Sequence, residues 1–349
     1  MIDFLIIGSG LAGISFSEAV LNNNQSVLVF DNGSQNSSMI AGGLYNPVIL
    51  KRFSEVWKAQ EQLKLMDDFY PSIEKKLGVR IDFKLPILRK FFSIEEQNNW
   101  FIASDKPNLA PFLSLDIIKY KYKAIDSPHD FGEVLHTGYV DTPMLLEVYR
   151  AYLRANNWFV EEGFDYNLLK ISGNFVEYKG IKARHIVFAE GFGLHANPFF
   201  NYLPLDGTKG ELLIIKAPEL DLDVIVNTSV FILPLGNDLF KVGATYNWKD
   251  KTSLPTEEGK KELVDRIKEI LNCDFEIINH FGGVRPTVRD RRPLVGTHAD
   301  FKNVHVLNGL GTRGVMLGPA LAKALYDCIE NNVLLDAEID INRIKKNKS

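Results

Sequence analysis

Two cysteines in 349 residues, Cys273 and Cys328, are too few for a disulfide framework and form no Cys-x-x-Cys pair. That usage suits a reducing cytosol. The seven histidines show no metal-ligand spacing, so no metal site is expected. No apolar stretch approaches the ~20 residues needed to span a bilayer. The apolar start lacks a basic leader and runs straight into a glycine-rich turn, so it is not read as a signal peptide. A formal charge of −4 removes any general attraction to nucleic acid or anionic membrane and leaves only local basic patches to do so. These absences exclude a disulfide scaffold, a metal centre and a membrane span, and the chain is expected to be cytoplasmic.

What is present is an ordinary globular composition, 24% charged and 46% hydrophobic, with length for two domains at ~150 residues each. The chain is organised around its amino end. Phe4-Leu5-Ile6-Ile7 has a buried strand's composition and meets the turn Gly8-Ser9-Gly10-Leu11-Ala12-Gly13, after which residues 14–21 follow a helical pattern. Gly8 suits the tight turn, Gly10 leaves room for a pyrophosphate, and Gly13 lets the helix pack closely on the strand. The helix's free N–H groups and positive dipole end then face the phosphates. Asn22-Asn23-Asn24 breaks the helix, and residues 26–30 give a second strand ending at Asp31, where a ribose-binding carboxylate belongs. Strand, turn, helix, strand and acid in that order predict dinucleotide binding.

The polar, glycine-rich segment from Asn32 to Pro47 is long for an idle connection and is expected to line the cofactor, a mobile surface loop being the alternative. An amphipathic helix is predicted over 54–70, with Val56, Ala59, Leu63 and Met66 on one face. Residues 79–126 read as an insertion, mixing β-like runs (79–83, 86–92) with a capping-box helix start at Ser93-Ile94-Glu95-Glu96. A further helix, with Asp141 or Thr142 as N-cap and Pro143 in its first turn, runs to Asn156. Strands over 158–160, 174–178 and 185–189 follow, the last ending in Ala189-Glu190-Gly191-Phe192-Gly193, a small-residue turn of the kind that meets a ligand. Residues 205–282 are mainly β (211–215, 224–226, 230–233, 239–245) with one helix over 256–271, predicting an antiparallel sheet that floors a substrate site.

Four arginines fall within eight residues: Arg285, Arg289, Arg291 and Arg292. A strand over 303–307 then leads into Asn308-Gly309-Leu310-Gly311-Thr312-Arg313-Gly314 and a helix over 320–329. The Lys-Ser/Thr ending of a P-loop is absent, so this helix start is expected to face the same cofactor and stabilise charge on it. The tail from Arg343 to Ser349 is basic and reads as a solvated end.

Across nearly its whole length the chain resembles the FAD-dependent amine oxidases of the D-amino-acid oxidase superfamily. The resemblance rests on the Gly8 to Gly13 turn with Asp31, the Ser38 to Gly42 loop, the Gly138 to Asp141 helix entry, Ala189 to Gly191, Val242-Gly243-Ala244-Thr245, Arg285-Pro286 with Asp290 and Pro293, and the Gly309 to Pro319 turn, in that order. Within the group it is similar to the glycine and sarcosine oxidases. Gly283 to Gly296 and Gly309 to Gly314 are similar also to the oxidase half of the bifunctional enzyme that removes a carboxymethyl group from a tRNA wobble uridine.

The resemblance implies an α/β fold, with a Rossmann-like FAD-binding domain (1–85, 138–204 and 283–349) and an interleaved antiparallel-β substrate domain (86–137 and 205–282). It places pyrophosphate contacts on Gly8, Ser9, Gly10, Leu11, Ala12 and Gly13, and ribose binding on Asp31 with Asn32 beside it. Isoalloxazine contacts fall on Ser38, Ala41, Gly42 and Leu44, an adenine-side backbone contact on about Tyr166, and further cofactor contacts on Ala189 and Gly191. Stabilisation of the flavin N1 and O2 positions falls on Gly311, Thr312, Arg313, Gly314, Val315 and Met316.

The implied chemistry is hydride transfer from the carbon beside an uncharged amine, hydrolysis of the imine, and passage of electrons to oxygen or another acceptor, with no strong base required. Arg285 matches the arginine that clamps the substrate carboxylate in glycine-oxidase-like members, and a planar guanidinium fork suits a carboxylate. A structural ion pair with Asp290 is its alternative. Arg289, Arg291 and Arg292 read as surface or salt-bridged residues that would favour RNA only if they converged on the mouth. Lys241 stands where sarcosine oxidases carry the lysine that assists oxygen reduction, a solvent-facing strand lysine being the alternative. Arg285, Lys241 and Arg313 are thus the catalytic candidates. Sarcosine oxidases attach FAD through a cysteine at the position of Gly283, so non-covalent FAD is expected. The first reading is an FAD-dependent oxidase or dehydrogenase of a small carboxylate-bearing primary or secondary amine. The others are a tRNA wobble-uridine enzyme, which the acidic balance disfavours, and a flavin-binding protein without turnover.

Overall fold

Residues 1–119 and 122–344 are described by the computed structural model; the basic end from Lys345 to Ser349 lies outside them. The opening apolar run forms the Ile2–Ile7 strand, flanked by Val27–Phe30 and Ile181–Phe188, both parallel to it. Its residues do not alternate because both faces of the strand are covered: Phe4 and Ile6 join one hydrophobic cluster, Leu5 and Ile7 another. Phe159–Val160 and Val304–Asn308 extend the parallel set, Leu294–Thr297 adds an antiparallel edge, and 169–171 and 176–178 form a meander onto the start of Ile181–Phe188. In register, Ile7 lies opposite both Phe30 and Phe188, and Phe188 lies opposite Val306. The parallel strands therefore finish at one level, and Gly8, Asp31, Ala189 and the turn beyond Asn308 become neighbours. That carboxyl edge is where open α/β sheets take ligands.

Helices Leu11–Leu21 and Gly314–Asn331 pack against each other over this sheet. The second begins at Gly314 rather than at 320, so Pro319 sits inside it. A proline lacks the N–H that would bond to the carbonyl four residues back. That carbonyl belongs to Val315, and the buried Tyr70 hydroxyl donates to it instead at 2.7 Å. The helix expected over 54–70 also differs. Ser54–Glu55 pairs with Val48–Ile49 in a short hairpin, Val56 lies outside the helix, and the helix itself is Ala59–Leu77, closed by Gly78. At 94, 142 and 257 the expected helices form, with Ser93, Asp141 and Thr256 each accepting a first-turn N–H. Half of the expected capping box is absent: the Glu96 carboxylate takes the Phe92 N–H at 2.9 Å and pairs with Arg89.

Strands 276–285, 208–216, 239–243, 231–236, 225–227, 87–90, 131–134 and 113–118 follow one another in a second sheet. The expected antiparallel pairing holds except between Ile225–Asn227 and Ile87–Lys90, which run parallel. These two are far apart in sequence, and a long connection permits parallel pairing. One face of the sheet packs under helix Glu257–Lys268 through Leu213, Ile215, Val242 and Leu263. Gly210 and Leu212 turn to the opposite face. By strand alternation Lys209 and Glu211 lie on the back, where Lys209 is 2.5 Å from Asp250 and 3.5 Å from Glu211, and Glu211 is 2.7 Å from His280. This buried ion cluster ties the segment after the Leu239–Gly243 strand to the sheet.

A second buried polar pair lies within the first sheet. His185 Nδ1 is 3.0 Å from His305 Nε2, and His305 Nδ1 is 2.9 Å from Thr297 Oγ1. Burial, and then Arg184, hold His185 down at about 4; burial, and then His185, hold His305 well below the ordinary range. Both are neutral in the folded protein at pH 7.

Two outcomes follow from this packing. Tyr70→Phe strands the Val315 carbonyl and lowers unfolding stability by about 1–3 kcal/mol, measured by urea denaturation; an unchanged midpoint contradicts the role given to the hydroxyl. For the histidines, an unfolded pKa near 6.5 lies above the folded one, so stability is full above pH 6.5 and falls as the pH drops toward 4. His185 alone removes about 2 kcal/mol by pH 5. Equal unfolding free energies at pH 7 and pH 5 rule out the neutral pair.

Candidate functional site

A cavity of about 720 Å³ runs along the carboxyl edge of the first sheet and beneath the second. Gly8, Gly10, Leu11, Ala12, Asp31 and Asn32 line it. So do Ser38, Ala41, Gly42 and Leu44, and Arg285, Gly311, Thr312, Arg313, Gly314 and Val315; Gly314 lies directly against Leu11. Tyr166, Ala189 and Gly191 also face it. Gly10 and Arg313, remote in sequence, thus share one enclosure. Its volume suits a small-molecule or cofactor site.

The two helix starts that open on this cavity are the chemical feature of the site. Leu11–Leu21 begins at Gly10, and Gly314–Asn331 at Arg313; neither has a side-chain cap or an acidic residue in its first turn. The Leu11 N–H is taken by Ser38 at 3.2 Å; the other leading N–H groups and the positive dipole ends remain for an anionic partner. Gly8 adopts φ +104°, and a Cβ on Gly13 would run into the Gly8 carbonyl, so the turn keeps its shape only with glycine at both positions. One uncapped start fits a pyrophosphate and the other an electron-rich ring.

Four expected site residues stand back from the cavity lining. Ser9 is buried; its N–H and hydroxyl donate to Asp31 at 2.5 and 2.8 Å, and Arg150 donates to its Oγ at 2.7 Å. Gly13 packs on the strand, and Met316 turns into the hydrophobic core. Lys241 is neither above the cavity nor in solvent. It lies on the cavity face of its strand but under the 32–43 loop, where its amine donates to the Ala41 carbonyl at 3.2 Å and burial lowers its pKa. The loop is further held by Ser38, which accepts the Leu11 N–H at 3.2 Å, and by Asn36, which donates to the Gly282 carbonyl at 3.2 Å.

Arg285 crosses the second sheet directly over Gly210, where any Cβ would overlap its guanidinium. It donates to the Thr245 carbonyl at 3.2 Å, and the Tyr246 ring lies 4.7 Å from its Cζ. The alternative pairing with Asp290 does not form: Asp290 accepts from Arg343 at 3.2 Å and from the Arg292 N–H at 2.9 Å. Arg289 pairs with Asp206 and Arg292 with Glu338, both at the surface. Burial lowers the pKa of Arg285; it lowers that of Arg313 too, aided by the neighbouring Arg291. Glu190, also in the lining, accepts from the Tyr166 hydroxyl and from Asn197 at 2.8 Å. Burial pushes its carboxyl up to about 7 against those two hydrogen bonds.

Arg150, Glu190, Gly210 and Tyr246 escaped the sequence reading. Tyr246 directly follows the Val242 to Thr245 motif and Glu190 sits inside the Ala189 to Gly191 turn, so position gave a signal for both. Arg150 and Gly210 gave none, since their importance comes from a contact across the fold. Among the described residues no group of three or more His, Cys, Asp or Glu side chains is placed to hold a metal ion, and no helix is long and apolar enough to cross a membrane.

Comparison with known proteins agrees with this geometry. The chain is 22% identical over 355 residues to a glycine oxidase of Bacillus licheniformis, covering 95% of this chain and 93% of that one. It is 23% identical over 221 residues to the glycine oxidase of Bacillus subtilis (strain 168), where the match spans 58% of this chain and 59% of the relative. It is also 27% identical over 191 residues to the tRNA 5-methylaminomethyl-2-thiouridine biosynthesis bifunctional protein MnmC of Marinobacter nauticus, spanning 49% of this chain and only 30% of that protein. The fold superposes on the crystal structure of glycine oxidase from Geobacillus kaustophilus with a TM-score of 0.79 at 20% identity, covering 96% of each chain. It superposes on iminodiacetate oxidase from Chelativorans sp. BNC1 with a TM-score of 0.74 at 17% identity, covering 96% of this chain and 98% of the other. With residues 3–328 matching it, the chain belongs to the DAO family of FAD dependent oxidoreductases and is an enzyme whose cofactor is FAD.

Proposed function

We propose that this enzyme oxidises the C–N bond of a small primary or secondary amine bearing a carboxylate. The observation that carries the reading is Arg285: a guanidinium in the cavity wall, held over Gly210 and under Tyr246, with its fork unclaimed by Asp290. A carboxylate is the group such a fork takes bidentately. FAD supplies the acceptor for the hydride that leaves the carbon beside the amine. The protein's share is to fix that carbon through the carboxylate and to keep water from the site.

The remaining assignments follow the cavity lining. Gly8, Gly10, Leu11, Ala12 and the N–H groups behind them serve the pyrophosphate, while Asp31, oriented by Ser9, serves the ribose. Ser38, Ala41, Gly42 and Leu44 border the ring, and Lys241 acts on it through the Ala41 carbonyl rather than by reaching it. Thr312, Gly314 and Val315 offer N–H groups to its electron-rich edge, the Arg313 N–H being spent on the Leu310 carbonyl. The strands drawn from 86–137 and 205–282 form the substrate side, and the segments 1–85, 138–204 and 283–349 the FAD side. FAD is held without a covalent bond, because glycine occupies position 283 and neither cysteine lines the cavity. Oxygen or another acceptor closes the cycle. A small amine is preferred over a tRNA-borne one because Arg289 and Arg292 are taken up by surface acids and do not converge on the mouth.

Anaerobic mixing of the purified yellow protein with a panel of amino acids and N-substituted glycines bleaches the flavin, and acid precipitation leaves the FAD in the supernatant. Bleaching by modified tRNA alone would transfer the case to the RNA substrate, and bleaching by neither would end the catalytic reading. Gly210→Ala pushes the Arg285 guanidinium aside and raises the dissociation constant of the carboxylate-bearing amine by about tenfold or more, while the protein stays yellow. Titration of the flavin spectrum with substrate measures this; an unaltered constant removes Arg285 from the binding site.

A further inference from the structure

Two arginines, not one, line the cavity. Arg285 and Arg313 are both half-buried in its wall, and among the described residues no carboxylate pairs with either. A cation withdrawn from water without an anion is unfavourable, so two of them in one lining point to what completes the site. The other cations of the lining differ: Arg89 is 2.7 Å from Glu96 and further bonded to Asn227, and Lys51 is exposed to solvent.

The Arg313 side chain is available for this because the helix it caps makes no use of it; the cap carries no side-chain hydrogen bond. The other charges near it are those of Arg291 and Arg292, which repel a cation instead of pairing with it. Tyr246 lines the same cavity, its ring 4.7 Å from the Arg285 Cζ.

Resting on the amine-oxidase reading above, we infer that the substrate is an amine carrying two anionic groups, one carboxylate held by Arg285 and a second carboxylate held by Arg313. Mono-anionic amines engage only one of the two arginines. The second guanidinium then stays unpaired, and its uncompensated partial burial disfavours them relative to a dicarboxylate of the same shape.

The test compares the diacid 3-(carboxymethylthio)propanoate with the monoamide formed at its propanoate end, using the FAD-loaded enzyme. The sulfur replaces the amine, so binding is read by calorimetry and by the flavin spectrum without turnover. The wild-type enzyme binds the diacid about tenfold or more tightly than the monoamide. Arg313→Gln brings the ratio to about one, Arg313→Lys restores most of it, and Arg285→Gln weakens both ligands. A wild-type ratio near one, a ratio that survives Arg313→Gln, or no binding of either ligand overturns the inference. The matching amines, N-(2-carboxyethyl)glycine and its monoamide, separate the two claims by anaerobic bleaching. If amines bleach the flavin without regard to the second charge, this inference fails and the oxidase reading stands. If the diacid thioether binds through Arg313 and no amine bleaches the flavin, the reverse holds.

Discussion

The constraint on which the structure turns is the common finishing level of the parallel strands. Because Ile7 is in register with both Phe30 and Phe188, and Phe188 with Val306, segments from four distant parts of the chain end at one edge. Two of those ends feed directly into helices, and neither Gly10 nor Arg313 caps its helix with its own side chain. Ser93, Asp141 and Thr256 cap their helices in that way, whereas at the cavity the one side chain that helps is Ser38, which takes the Leu11 N–H. The two starts lie side by side, Gly314 against Leu11, and the N–H groups left over suit FAD, with a doubly charged pyrophosphate and a ring that becomes electron-rich.

Most of that frame was legible in the sequence, because it depends on neighbours in the chain. The unbroken apolar run at 4–7 signalled a strand covered on both faces, the glycine spacing signalled a tight turn with close helix packing, and the helix starts at 94, 142 and 257 carried their caps with them. What failed was decided across the fold. Pro319 argued for a helix that begins after it, yet the Tyr70 hydroxyl, remote in sequence, serves the carbonyl that the proline leaves open. Ser54 and Glu55 continue the polar and apolar rhythm of the helix that follows, but pairing with Val48 and Ile49 claims them first. Lys241 has the right strand and the right face for a residue above the ring; the loop anchored at Ser38 and Asn36 interposes the Ala41 carbonyl.

The second sheet shows how a glycine can be a site residue without touching a ligand. Arg285 needs a flat strand to cross, and Gly210 supplies it. The residues on either side of that glycine, Lys209 and Glu211, point to the back, where with Asp250 and His280 they form a buried ion cluster. The same cluster receives Thr256 through Glu211, so both ends of the 246–256 segment are tied to the strand that carries Gly210. Tyr246 opens that segment. Beside it, Asn247 pairs with Lys209 through the backbone and Thr245 Oγ1 accepts the Glu211 N–H, so the ring near Arg285 is held by the same strand that carries Gly210.

Both signs of charge occur in the cavity lining: Asp31, Glu162 and Glu190 on one side of the balance, Arg285 and Arg313 on the other. The acids are compensated from within: Asp31 by Ser9 and Arg150, Glu162 by Lys179, and Glu190 by Tyr166 and Asn197. The arginines have less: Arg285 has the Thr245 carbonyl and the Tyr246 ring, and among the described residues no carboxylate pairs with it or with Arg313. A lining that partners its acids internally and leaves two arginines without a carboxylate is suited to receive an anion there. The bare helix start beneath Arg313 strengthens that field instead of relieving it. A neutral amine gains nothing from the two guanidiniums, while an amine flanked by carboxylates cancels the charge that folding leaves exposed.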